Sequence, residues 1–122
     1  MEKPFFATGA LLGCLAVAAG AFGAHALQTR LAPERLALFE LAARYQLMHA
    51  LALLVTAWAA QRWPGGLVHS AGWLFVIGVL IFCGTIYALA LGAPRILGAV
   101  TPIGGMSLIA AWLLLALAAL RS

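Results

Sequence analysis

Four long apolar runs, parted only by short breaks rich in proline, glycine and arginine, constrain this chain more than any other feature. A membrane-spanning helix needs about 20 mostly apolar residues. A chain of 122 residues therefore holds four such spans, or at most five, with no room for a separate soluble domain. Composition agrees: 66% of the residues are hydrophobic and 8% are charged, with a mean hydropathy of +1.09. Too few polar side chains exist to coat a water-soluble globule. Intrinsic disorder fails for the opposite reason, an excess of apolar surface.

The runs predict spans over about residues 5–27, 40–62, 70–92 and 97–120, in a single membrane domain. The second helix is expected to begin near residue 33, because Pro33 suits a first turn, Glu34 favours the positive helix terminus, and no Gly or Pro follows until Pro64. Its early turns carry Glu34, Arg35, Glu40 and Arg44, and should protrude from the hydrocarbon. Ala24-His25-Ala26 and Leu11-Leu12-Gly13-Cys14 resemble signal-peptide and lipoprotein cleavage sites. The apolar run is too long for a signal sequence and stays apolar after Cys14, so it reads as a retained span. Pro64-Gly65-Gly66 and Ala93-Pro94-Arg95 read as turns, with Pro102 near the first turn of the fourth helix, where it costs little. Four spans with short connections give an all-α, up-down-up-down bundle.

Seven Lys and Arg against three Asp and Glu give a net charge of +4. The cations stand singly at segment ends, which fits snorkelling and topology rather than a phosphate-binding patch, so no nucleic-acid partner is expected. The side holding both termini and the Pro64 turn, here side A, has Lys3, Arg62 and Arg121. Side B has Arg30, Arg35, Arg44 and Arg95. Trp58, Trp63 and Trp73 fall near side A and read as interfacial anchors. Cys14 and Cys83 read as small buried hydrophobes at different depths, and no disulfide is expected.

Alternation of helix direction brings polar residues distant in sequence to one depth. His25 closes the first span; Tyr45, Gln46 and His49 open the second; Thr85 and Tyr87 lie late in the third; Thr101 opens the fourth. Polar groups in hydrocarbon must pair or face the bundle interior. These residues are therefore expected to converge on side B as a hydrogen-bonded cluster. Gly9 and Gly13, continued by Gly20 and Gly23, form a small-residue stripe for close helix packing against the second or fourth helix, or between copies of the chain.

The runs Gly20-Ala21-Phe22-Gly23-Ala24-His25-Ala26-Leu27, Tyr45-Gln46-Leu47-Met48-His49-Ala50-Leu51-Ala52, Gly84-Thr85-Ile86-Tyr87 and Thr101-Pro102-Ile103-Gly104-Gly105 resemble the YgdD-like small membrane proteins, the domain of unknown function 423 family. The resemblance implies a short multi-pass protein of the bacterial inner membrane and supplies no reaction. The expected role is non-enzymatic: a structural, interaction or accessory protein of a membrane complex. No catalytic residues, metal or cofactor are expected. Its partners are the lipid bilayer and either a second copy or a larger complex. Two alternatives use the polar cluster: a small transporter or proton-handling protein, and a haem-binding redox subunit with His25 and His49 as ligands.

Overall fold

A computed structural model describes residues 2–122. The helices are α1 (Glu2–Phe22), α2 (Pro33–Arg62), α3 (Gly66–Ala90) and α4 (Leu97–Leu120), and the described residues contain no strand. All four helices are long and apolar enough to cross a membrane. A single π-helical turn, Gly23–Leu27, extends α1.

The breaks follow local chemistry. Ala32 is extended, as the residue before a proline prefers, and Pro33 opens α2. Gly65, at φ 144°, supplies the left-handed step between α2 and α3. The α3 helix ends in a Schellman motif: the Gly92 N–H donates to Leu89 O at 3.2 Å and the Ala93 N–H to Ala88 O at 2.9 Å. Gly92 takes the left-handed conformation this motif requires, with φ 105°. One expectation is corrected here. Because α4 begins at Leu97, Pro102 lies in its second turn, inside the helix, where its missing N–H removes a backbone bond.

Packing runs in chain order, α1 on α2, α2 on α3 and α3 on α4, and α1 and α4 share almost no contact. The inner helices are α2 and α3, and the outer ones keep most of their surface exposed. In lipid that exposure carries no hydrophobic penalty, so tight fit and interhelical hydrogen bonds must hold the bundle. Alanine supplies much of the fit on α2, where Ala42, Ala50, Ala52, Ala57 and Ala59 are buried.

Glycine supplies the rest. A Cβ on Gly9 would stand 2.8 Å from Ala50 O and 3.0 Å from Leu53 Cβ, and one on Gly23 would stand 3.1 Å from the Phe39 ring. Gly13 makes an ordinary contact with Ala50, at 3.7 Å. The stripe therefore meets α2 and not α4. Gly20 is a correction: a Cβ there would meet nothing within 4 Å, so no close helix contact requires a glycine at that position. Cys14 is likewise exposed, where burial was expected, while Cys83 is buried.

Candidate functional site

The polar residues of α2 act through two side chains one turn apart. Gln46 and His49 are each 6% exposed. The Gln46 amide nitrogen donates to Leu12 O of α1 at 2.9 Å. Its amide oxygen accepts from the Tyr87 hydroxyl of α3 at 2.8 Å. A carbonyl can only accept, so the Leu12 bond fixes which way the amide points. One side chain thus joins three helices.

His49 makes the fourth connection. Nδ1 lies 2.8 Å from Tyr45 O and Nε2 lies 3.2 Å from the Trp112 indole nitrogen of α4. Tyr45 O can only accept and the indole N–H can only donate, so the two partners select the neutral ring with its proton on Nδ1. The ring is stacked on Tyr45 at 6.1 Å and packs against Phe75 at 5.8 Å and Trp112 at 5.9 Å.

Thr85 and Thr101 pair separately, with their hydroxyls 2.6 Å apart, and so tie α3 to α4. The Ser107 hydroxyl adds a bond to Leu74 O at 2.8 Å between the same helices. Sequence reasoning overlooked Ser107, Trp112 and the Leu12 carbonyl. The signal was present for two of them, because a hydroxyl or an indole N–H deep in an apolar run needs an acceptor.

The single expected cluster is therefore three bonded groups: Gln46 with Tyr87, His49 with Trp112, and Thr85 with Thr101. His25 belongs to none. It is exposed in the π-helical turn, while Gly23 and Leu27 are buried. His25 stands midway between Gly23 and Leu27, which share the buried face of this wider turn, so it points to the far side. The pairing of His25 with His49 as haem ligands is corrected with it. His49 has both ring nitrogens occupied, and His25 faces outward. Among the described residues, no three His, Cys, Asp or Glu side chains come together as a metal site.

Two predictions follow from this geometry. Gln46→Leu removes both bonds and leaves the Tyr87 hydroxyl without its acceptor. Bonds between membrane helices contribute about 0.6 kcal/mol on average and rarely more than about 1.7. The loss should be about 1.5 kcal/mol, read as a lower unfolding midpoint in detergent titration. His25→Ala should leave that midpoint unchanged within about 0.5 kcal/mol. A drop comparable to that of Gln46→Leu would mean that His25 has a partner inside the bundle.

On side A, Trp58 and Trp73 are exposed, and Trp63 is half-buried. The Trp58 and Trp63 rings meet edge to face at 5.3 Å, and the Arg62 guanidinium lies 5.8 Å from the Trp63 ring. The Trp73 indole donates to His69 Nε2 at 3.2 Å. Such amphipathic rings suit the headgroup level.

Four antiparallel apolar helices joined by interhelical polar bonds define a small multi-pass membrane protein. The family described as protein of unknown function (DUF423) matches residues 19–105. A UPF0382 membrane protein of Staphylococcus epidermidis is 44% identical over 119 residues, covering 98% of this chain and 97% of the relative. The UPF0382 membrane protein YwdK of Bacillus subtilis is 39% identical over 120 residues, covering 98% of each chain. One from Staphylococcus haemolyticus is 43% identical over 113 residues, covering 93% of this chain and 92% of the relative. The chain belongs to the DUF423 family of small membrane proteins. No solved structure matches it.

Proposed function

We propose that the protein is a non-catalytic interaction or accessory protein of the bacterial inner membrane, working through its lipid-facing helices. The observation that carries this reading is how the buried polar groups are used. Among the described residues, Gln46, His49 and Thr56 are the buried polar ones, and each is bonded inside the chain. No fully buried side-chain nitrogen or oxygen lacks a partner among the described residues. Chemistry or proton relay at Gln46 or His49 would first have to break bonds that hold the bundle, and the Thr56 hydroxyl is taken up by Ala52 O of its own helix. The outer helices, in contrast, present broad apolar faces, with Leu11 and Leu15 on α1 and Ile109 and Leu113 on α4 all exposed.

Photo-crosslinking in native membranes tests this. A crosslinker at Leu15 or Leu113 should yield a discrete adduct with a second membrane protein, and one at the inward position Ala52 should not. Adducts with lipid alone, from both outer faces, would overturn the reading.

A further inference from the structure

A groove of about 440 Å³ opens sideways between α2 and α4. Tyr45, Met48 and His49 form one wall, Gly105, Ile109 and Trp112 the other, and Phe82 of α3 contributes to the lining. At 1.5 Å per residue, Tyr45 stands roughly 25 Å from Arg62 along α2, and Trp112 roughly 12 Å from Leu120 along α4. In a hydrocarbon layer about 30 Å thick, the groove runs from the middle of the membrane towards side B.

Its polar content is unequal. The His49 ring and the Trp112 indole are bonded to each other. The Tyr45 ring packs on Phe82 at 5.0 Å and on His49, yet its hydroxyl has no hydrogen-bond partner among the described residues. Tyr45 is only half-buried, so that hydroxyl is reachable. An unpaired hydroxyl at hydrocarbon depth costs several kcal/mol in the apolar limit. The Gly105 wall adds room, because even a Cβ there would meet the Phe82 ring at 3.5 Å.

We propose that this groove binds a membrane-soluble planar ring carrying a carbonyl, the chemistry of a quinone headgroup. The ring lies against the aromatic walls, and a carbonyl oxygen accepts from the Tyr45 hydroxyl. Two other occupants fit less well. An acyl chain fills the space but offers the hydroxyl nothing. A helix, about 10 Å across with its side chains, exceeds a groove of this size. Volumes of about 300–1,000 Å³ are those of small-molecule sites.

Quinones quench indole fluorescence, and Trp112 lines the groove while Trp58, Trp63 and Trp73 lie towards side A. The full chain in nanodiscs of saturated phospholipid, titrated with decylubiquinone, should show a saturable quenching phase that Trp112→Phe removes. Tyr45→Phe keeps the ring packing and should weaken the apparent affinity roughly two- to tenfold, the worth of one neutral hydrogen bond. Gly105→Leu should block the groove and abolish the phase. Should that variant fold poorly by circular dichroism, Tyr45→Phe alone decides. Quenching that rises linearly with membrane quinone, or a saturable phase untouched by Tyr45→Phe, would overturn the proposal. So would quenching of Trp112 by brominated acyl chains that the quinone fails to displace.

Discussion

Gly104→Val should separate α3 from α4 and cost about 3 kcal/mol, at the upper end of what overpacking usually does. A Cβ at Gly104 would run into the Phe82 backbone nitrogen, with Phe82 Cα at 2.9 Å and Ile81 Cβ at 3.0 Å. Backbone atoms cannot rotate aside as a leucine tip can, so the helices themselves must part. Parting strains the bonds on either side of the contact, Thr85 to Thr101 and Ser107 to Leu74 O. The neighbouring glycine provides the control. A Cβ at Gly105 makes only an ordinary contact with Phe82, at 3.5 Å. Gly105→Ala should therefore be neutral or slightly stabilising, since alanine is the better helix former. Unfolding midpoints in mixed detergent would compare the two, and equal midpoints would show that the α3–α4 approach is looser than this geometry.

The helices were legible because their breaks are chemical: Pro33 opens α2, and Pro64-Gly65 and Gly92-Ala93-Pro94 fill the connections on either side of α3. Depth was legible too, since residue number sets height in an alternating bundle. That arithmetic brought Gln46 to the level of Tyr87 and Thr85 to that of Thr101. Azimuth was not. In water the apolar stripe of a helix marks its inner face, but here every face is apolar, and the stripe carries no such mark. His25 has the expected height and the wrong direction. Gly20 fails in the same way: it continues the small-residue stripe of α1 yet faces open space. A better guide was the requirement that each deep donor find an acceptor. Trp112 lies at mid-depth, and His49 was one of few deep side chains able to accept from it.

Phe5→Ala should have the second large effect, about 2–3 kcal/mol. Phe5 is 1% exposed and fills a site that α3 leaves open by having Gly72 there. Its ring meets Trp73 at 5.9 Å and His69 at 6.1 Å, both edge on, so it anchors α1 to α3 at side A. In soluble proteins, cutting a buried Phe to Ala costs about 3–5 kcal/mol, part of it a loss of transfer from water. Here the unfolded reference also lies in lipid, which removes most of the transfer contribution and leaves the cavity and lost dispersion. The expected value therefore falls at or below the bottom of that range. Gly72→Ala sharpens the test, because its new methyl group would overlap the Phe5 ring. Alone it should destabilise. In the Phe5→Ala background the same methyl enters the space the ring has left, so the double variant should be more stable than the sum of the single losses predicts. A coupling of at least 1 kcal/mol in that direction is within the range for residues in direct contact. Strict additivity would place the two residues out of contact, and would require α1 to sit further from α3 than it does here.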